Sequence, residues 1–216
     1  NKDISITGAT LAENLGPNLQ LEANEGPITL QNSSLCSGQG AGLQIINTVG
    51  ITATGNNFYN NGGTAKWQSQ IFLAGNPKGR LISDWQTGKP YLLFTTNTTL
   101  SNNVFTDAGA GQYLFSTYLS GNDWTQFAAG FHSATNTFSD VQHAAAFKLP
   151  GGKDNTLNGW QNITGQDHDS AWALSSRAAQ NCAVPAESYA DFNVYTDNRT
   201  YSMSGGAATI NLLTKS

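Results

Sequence analysis

The sequence predicts an all-β protein, a right-handed parallel β-helix (solenoid) with a C-terminal capping segment and a β tail. Two observations lead to this fold: an eight-residue template occurs five times, and each copy is followed by a second short strand. Successive copies begin 24, 23, 47 and 33 residues apart, and the step of 47 is about two periods. A repeat of this length, with a strand and a turn in each copy, is typical of solenoids. The copies begin at Ile4, Ile28, Ile51, Thr98 and Phe131.

The template explains the first strand and the bend of each coil. Its first and third positions point inward and alternate with polar second and fourth positions, which is strand periodicity. The fifth position is Gly or Asn in four of the five copies, and these residues most readily adopt a positive φ. These bend positions are Gly8, Asn32, Gly55, Asn102 and Thr135. The eighth position returns an apolar side chain to the interior at Leu11, Leu35, Phe58, Phe105 and Phe138.

A second strand follows the template in each coil, at residues 19–21, 43–45, 70–72, 113–115 and 146–147. Stacked coils with two or three strands each describe a parallel β-helix, and parallel crossovers are nearly always right-handed. A leucine-rich horseshoe would need a Leu/Asn consensus that is absent, and a β-sandwich would have no repeating turn position. The pairs Asn56-Asn57 and Asn102-Asn103, at and next to the bends, are expected to form internal hydrogen-bonded ladders between coils.

Composition indicates a secreted, polar β protein. Only 11% of the residues are charged, the net charge is −4, and no Lys/Arg cluster exists. Nucleic acid and membranes are therefore not expected as partners, and no stretch is apolar enough to span a bilayer. The chain begins without Met or a signal peptide, so further coils before Asn1 are expected. Cys36 and Cys182 fit an extracytoplasmic protein, and both a bridge and two free thiols remain open.

The sequence divides into three parts: coils at 1–150, a capping segment at 151–184, and a tail at 185–216. Trp160 and Trp172 are expected to cover the last coil. Asp167 or Asp169 is expected to accept hydrogen bonds there rather than hold a metal, and His168 between them is given a structural role. The tail is interpreted either as strands that dock along the coils or as the start of an immunoglobulin-like module.

The segment from Asn158 to Ser170, with Trp160 followed by Thr-Gly-Gln-Asp, resembles the closing segment of secreted bacterial right-handed parallel β-helix proteins. Those proteins occur in polysaccharide-degrading systems, and the tail resembles an immunoglobulin-like module that often follows them. The resemblance implies a lyase, a glycosidase or a non-catalytic carbohydrate-binding module. No member matches residue by residue, so no active site is carried over.

The outward positions of the first predicted sheet contain no carboxylate. A glycosidase needs two carboxyl groups about 5–10 Å apart, and a Ca²⁺-dependent lyase needs a carboxylate cluster and a base. We therefore predict no catalytic residue, no metal and no cofactor, with Ca²⁺ possible but not indicated. Asp123, His132 and Asp140 are interpreted as turn and surface residues rather than as an acid/base group. The outward positions are Ser5, Thr7, Thr29, Gln31, Thr52, Thr54, Thr99, Ser101, His132 and Ala134.

Tryptophans in polar insertions are the best candidates for a binding site. Loops that interrupt a solenoid usually lie on its binding face, and an exposed indole offers a flat apolar platform with a polar edge. The alternative is that these rings pack the loops onto the coils. The predicted carbohydrate-binding residues are Trp67, Trp85, Trp124, Asp84, Asp123 and Gln126.

The sequence therefore predicts a secreted, non-catalytic polysaccharide-binding β-helix module of a plant-polysaccharide-degrading protein. Its expected partners are a polysaccharide of the xylan, glucan or pectin class and further domains of the same polypeptide. One alternative is the C-terminal fragment of a β-helix polysaccharide lyase or glycoside hydrolase. A second alternative is a structural or adhesin solenoid.

Overall fold

The computed structural model describes residues 3–63, 69–84, 86–107, 112–140, 144–173, 201–202 and 209–212, the last two ranges as backbone. Five successive coils each contribute three strands. They are β1 (Ile4–Thr7), β2 (Thr10–Ala12) and β3 (Leu19–Glu22) in coil 1, and β4 (Ile28–Gln31), β5 (Ser34–Cys36) and β6 (Leu43–Ile46) in coil 2. Coil 3 has β7 (Val49–Thr54), β8 (Asn57–Tyr59) and β9 (Ser69–Ala74), and is followed by β10 (Arg80–Ser83) and β11 (Pro90–Leu93).

Coil 4 has β12 (Thr96–Ser101), β13 (Val104–Asp107) and β14 (Tyr113–Thr117), and is followed by helix α1 (Gly121–Ala129). Coil 5 has β15 (Phe131–Ala134), β16 (Thr137–Asp140) and β17 (Phe147–Lys148). The closing elements are β18 (Asp154–Asn155), α2 (Leu157–Thr164), β19 (Ala171–Trp172), β20 (Tyr201–Ser202) and β21 (Thr209–Leu212).

The coil strands form three sheets. Sheet A takes the first strand of every coil, sheet B the second and sheet C the third, and the coil strands within each sheet are parallel. In sheet A, Ile4 aligns with Ile28, Ile28 with Ile51, Ile51 with Thr98, and Thr98 with Phe131. This is the predicted inward column, and all five residues are buried. The chain is thus mostly β, with parallel sheets in a β-helix-like arrangement.

The predicted bends are confirmed in all five coils. Their φ angles are 66° at Gly8, 48° at Asn32, 68° at Gly55, 55° at Asn102 and 54° at Thr135. Thr135 has no glycine-like freedom, but its N–H donates to Asp169 Oδ1 at 2.9 Å and its hydroxyl donates to the Ala134 carbonyl at 2.7 Å. These two hydrogen bonds hold the left-handed conformation that Asn or Gly adopts more easily elsewhere.

A buried ladder of polar side chains runs beside the bends. The N–H of Ser33 donates to Asn56 Oδ1 (3.0 Å), that of Asn56 to Asn103 Oδ1 (2.9 Å), and that of Asn103 to Asn136 Oδ1 (2.9 Å). The expected internal ladder is confirmed for Asn56 and Asn103, whereas Asn57 lies on β8 and Asn102 is an exposed bend residue. The N–H of the second residue of each of these bends is satisfied by a side chain of the next coil, as burial requires. Next to the ladder, the rings of Phe58 and Phe105 stack with centroids 4.8 Å apart.

The closing segment covers coil 5. Trp160 is 1% exposed, and its ring centroid lies 4.6 Å from that of Phe115 and 5.2 Å from that of Phe147. Its Nε1–H donates to Asp167 Oδ2 at 2.8 Å, while Asn136 Nδ2 donates to Asp167 Oδ1 at 2.9 Å. The expectation that Trp160 covers the last coil is confirmed, and Asp167 ends the ladder. Trp172 is half-buried on β19, which continues sheet B beside β16.

At the other end of sheet A, β21 pairs antiparallel with β1, and β20 pairs with β21. Cys36, at the end of β5, is fully buried and disulfide-bonded. The sequence contains one other cysteine, Cys182, which lies outside the described residues. Neither helix in the described ranges has the length and apolar character needed to cross a membrane.

Candidate functional site

The three corners of the coils differ in length. Every bend from sheet A to sheet B has two residues, whereas two long connections run from sheet C back to sheet A. Residues 75–95 leave coil 3 and contain the β10–β11 hairpin, and residues 118–130 leave coil 4 and contain α1. Insertions in a repeat protein commonly map to one face, which is often the binding face. We call the hairpin (78–93), Tyr118, α1 and the neighbouring Gln20 and Gln44 of sheet C the insertion face.

The hairpin leans back over coils 1 and 2. Arg80 forms an ion pair with Glu22 at the end of β3, and Glu22 also accepts a hydrogen bond from Gln20 Nε2 at 3.0 Å. At the base of the hairpin, Asn47 Nδ2 donates to the Leu93 carbonyl at 3.0 Å. These contacts connect the hairpin to the outer side of sheet C, where Gln20 and Gln44 lie in register on adjacent strands.

Asp84 shapes the turn of the hairpin. Its Oδ1 accepts hydrogen bonds from the Gln86 N–H at 3.0 Å and from the N–H and hydroxyl of Thr87 at 2.7 and 2.9 Å. A carboxylate that receives local backbone donors in this way fixes a turn. The predicted site residue Asp84 is therefore half-buried, and its Oδ1 is engaged in the turn.

A shallow groove of about 480 Å³ separates the hairpin from the corner of the first coils. Its lining combines an aromatic ring, aliphatic side chains and two carboxylates, a mixture of apolar and polar groups that ligand sites commonly show. Beside it, Leu81 and Leu92 face each other across the hairpin and are 68% and 52% exposed. The lining residues are Glu25, Val49, Asp84, Tyr91, Leu92 and Leu93.

Helix α1 carries the other described site residues. The N–H of Ser120 donates to Asp123 Oδ1 at 2.7 Å, so Asp123 caps the first turn, and it is only 4% exposed. Trp124 and Gln126 are half-buried, and the Trp124 ring centroid lies 5.6 Å from that of Phe127. The sequence predicts a loop in this insertion, and the structure shows a helix there instead. Asp123 is committed to the helix and Trp124 presents only part of its ring.

Two of the predicted site residues, Trp67 and Trp85, lie outside the described residues. In the sequence, Trp85 falls between β10 and β11, and Trp67 falls between β8 and β9. Of the three predicted tryptophans, the structure describes Trp124.

Sequence reasoning missed two tyrosines of the insertion face. Tyr118 is 55% exposed, and its ring stands edge-on to Phe72 at 4.9 Å between centroids. Tyr91 lines the groove and is half-buried. The available signal was the length of the connection after each third strand, since both residues lie in the two longest connections of the described coils.

A polar cluster closes the far end of sheet C. Lys148 Nζ donates to the Tyr113 hydroxyl and to Asp154 Oδ1, both at 2.9 Å, and lies 4.6 Å from the centre of the Tyr113 ring. Burial lowers the pKa of Lys148, but these hydrogen bonds and the Asp154 charge outweigh it, so the pKa lies above its usual value. The ammonium therefore stays charged while it links coils 4 and 5 to β18.

The three residues weighed as an acid/base group are not brought together. Asp123 lies in α1, His132 is exposed on sheet A, and Asp140 ends β16 in sheet B. Instead, Asp140 is the in-register neighbour of Asp107 on β13. His168 is exposed in the closing segment. Within the described ranges, no three His, Cys, Asp or Glu side chains are grouped so that they could hold a metal ion.

Comparisons with known proteins give one structural likeness. No family model matches the chain, and no curated protein matches it. Among solved structures, the chain is similar to the A-module of the mannuronan C-5 epimerase AlgE6 of Azotobacter vinelandii, with a TM-score of 0.49 and 18% sequence identity. The match covers 81% of this chain and 38% of that chain. At this level of similarity, the function has to be argued from the residues themselves.

Proposed function

We propose that this chain is a secreted, non-catalytic polysaccharide-binding module, folded as a right-handed parallel β-helix, that binds its ligand on the insertion face. One observation carries the proposal. Five large hydrophobic side chains are exposed in the described part of the chain, and three of them, Leu81, Leu92 and Tyr118, belong to the two long connections of this corner. Exposed apolar groups concentrated on one polar-rimmed face are typical of a binding surface.

The lining of the insertion face suits a sugar polymer. The rings of Tyr91 and Tyr118, and the accessible part of Trp124, offer apolar faces for the C–H side of a pyranose. Gln20 and Gln44 offer amide donors and acceptors for hydroxyl groups. Trp85, in the hairpin turn, is proposed to extend this platform. Asp84 and Asp123 are given a supporting role, because the first fixes the hairpin turn and the second caps α1.

The residues that follow the coils keep the roles that the sequence predicts for them. Residues 151–184 are the proposed capping segment and 185–216 the proposed tail, through which the module would connect to further domains of the same polypeptide. The plant-polysaccharide context remains part of the proposal, together with secretion.

An enzyme of the lyase or glycoside hydrolase class is the second candidate, and one observation favours it. Asp107 and Asp140 are in-register neighbours on strands that pair directly. Adjacent strands lie about 4.8 Å apart, close to the separation of about 5 Å that retaining glycosidases use. Against this role, Asp107 is fully buried and therefore out of reach of a polymer.

Affinity electrophoresis tests the binding proposal. Gels containing xylan, β-glucan, mannan or pectin should retard the protein, and Tyr118→Ala and Tyr91→Ala should each weaken binding about tenfold, or about 1.4 kcal/mol. Tyr59→Ala is the matched control, because Tyr59 is a half-buried tyrosine on sheet B. Unchanged retardation of both insertion-face variants would contradict the proposed site. Release of reducing ends or unsaturated products, abolished by Asp140→Asn, would favour the enzyme instead.

A further inference from the structure

We infer that the polysaccharide bound by the insertion face is neutral, built from uncharged sugars rather than from uronates or sulfated units. This inference rests on the proposed function. It concerns the charges around the site, and three features of the described residues support it.

The first feature is the charge balance at the hairpin. Three cations are matched in number by three carboxylates, and the strongest hydrogen-bonding cation, Arg80, is already paired with Glu22. Two of the carboxylates, Glu25 and Asp84, line the groove itself. A polyanion would have to approach these carboxylates and displace an existing ion pair. The balanced groups are Lys78, Arg80 and Lys89 against Glu22, Glu25 and Asp84.

The second feature is the neutralised cation at the far end of sheet C. Lys148 is only 9% exposed, and its ammonium lies 2.9 Å from the Asp154 carboxylate and 2.9 Å from the Tyr113 hydroxyl. Recognition of a uronate depends on charge-assisted hydrogen bonds from cations that can reach the carboxylate. The buried and paired Lys148 is not placed to supply them.

The third feature is the set of uncharged groups on the insertion face. Gln20 and Gln44 lie side by side in sheet C, and besides the charged hairpin residues the insertion face exposes amide, phenol and hydrocarbon groups. An amide both donates to and accepts from hydroxyl groups, and an aromatic ring stacks on a sugar without regard to charge. The site is thus equipped for hydroxyl-rich, uncharged rings.

Salt dependence distinguishes a neutral ligand from an acidic one. Binding of a neutral polymer should change less than about twofold between about 0.01 M and 1 M salt, over which the screening length falls from roughly 30 Å to roughly 3 Å. Binding of an acidic polymer through residual cations should weaken tenfold or more over that range.

The experiment uses affinity electrophoresis of the full chain in gels with xylan, mixed-linkage β-glucan or galactomannan, and in parallel with pectate or alginate, at both salt concentrations. Salt-independent retardation by at least one neutral polymer, and none by the acidic ones, is the expected result. Retardation by pectate or alginate, at either salt concentration, would overturn the neutral ligand while leaving the proposed function intact. Retardation by no polymer at all would overturn both.

A double variant tests the charge argument directly. Glu22→Gln with Glu25→Gln leaves Arg80, Lys78 and Lys89 in excess and keeps the side-chain shape. This variant should gain retardation by pectate at low salt and lose it at high salt, while Glu13→Gln with Asp169→Asn, elsewhere in the chain, should not. This control removes two charges and keeps a side-chain oxygen that can accept from the Thr135 N–H. The parent chain is expected not to be retarded by pectate. If the Glu22/Glu25 variant is not retarded by pectate either, then charge balance does not set the specificity and the inference is wrong.

Discussion

The corner between sheets A and B and the corner between sheets C and A are built on opposite principles. The first has two residues in every coil, a bend residue with positive φ followed by a buried residue, which is polar in coils 2 to 5. The second varies from a short turn in coil 2 to a hairpin in coil 3 and a helix in coil 4. The regular corner sets the stacking of the coils, so the other corner is free to vary and to carry function.

The largest expected effect is at the regular corner. Asn103→Ala should lower the free energy of unfolding by roughly 2–5 kcal/mol, because it removes the acceptor of the buried Asn56 N–H and the side-chain donor to the Ala53 carbonyl. Urea denaturation followed by circular dichroism measures it. Asn122→Ala, an exposed change in α1, is the control and should stay within about 0.5 kcal/mol of the parent. An equal loss of stability in Asn103→Ala and Asn122→Ala would contradict the proposed difference between the two corners.

A smaller loss is expected at the bend of coil 3. Gly55 has φ 68°, and a Cβ at this position would lie 2.6 Å from Asn32 Oδ1. Gly55→Ala should therefore cost about 1–3 kcal/mol of stability, again measured by urea denaturation. Gly16→Ala is the matched control, because Gly16 has open space around its Cβ position. If Gly55→Ala leaves the stability unchanged, then this corner tolerates a side chain that the geometry excludes.

At the variable corner, the expected effect is on binding rather than on folding. Tyr118→Ala should weaken polysaccharide binding about tenfold, while its melting temperature should fall by no more than a few degrees because the ring is half in solvent. Parallel electrophoresis and thermal melts measure both quantities. A Tyr118→Ala protein that melts far below the parent would mean that Tyr118 holds the fold.

The smallest effect concerns pH. The pKa of Lys148 is raised in the folded state, so its stabilising contribution is fully present below the unfolded value of about 10.4 and is lost as the pH rises through the folded pKa. The melting temperature of the parent should therefore fall more steeply above that pH than that of Lys148→Met. Lys153→Met, in the neighbouring turn, serves as the control and should follow the parent. Parallel curves for all three proteins would contradict the link between Lys148 and the last coil.

Much of the regular corner could be predicted from the sequence, because its determinants are local. Alternation places Ile28 and Ile51 inward, and a residue that accepts a positive φ marks each bend. The strands of sheet B were not assigned as strands, since three-residue segments such as 57–59 are too short to show a period. Thr135 was the exception to the Gly/Asn pattern, and a hydrogen bond from its N–H to the distant Asp169 carboxylate supports it.

The variable corner was predicted only in outline. The sequence correctly indicated insertions at Asp84 and Trp124, but their conformations depend on contacts that no repeat encodes. Ser120 followed by Asp123 fits a helix-capping pattern, so the signal for α1 was present in the sequence. Trp67 and Trp85 lie outside the described residues, so their predicted grouping with Trp124 stays a prediction. The predicted binding roles themselves stay predictions.

The direction of the polar ladder has a consequence for how the chain is made. In every step, a backbone N–H of one coil is satisfied by a side chain of the following coil, from Ala9 with Ser33 to Asn136 with Ser170. During synthesis from the N-terminus, the bend of each coil therefore lacks one hydrogen-bond acceptor until the following coil has folded. In the last coil, Asn136 lacks its acceptors on Asp167 and Ser170 until these residues have been added. Because each step repeats the last, gain or loss of a whole coil by duplication or deletion leaves the ladder continuous.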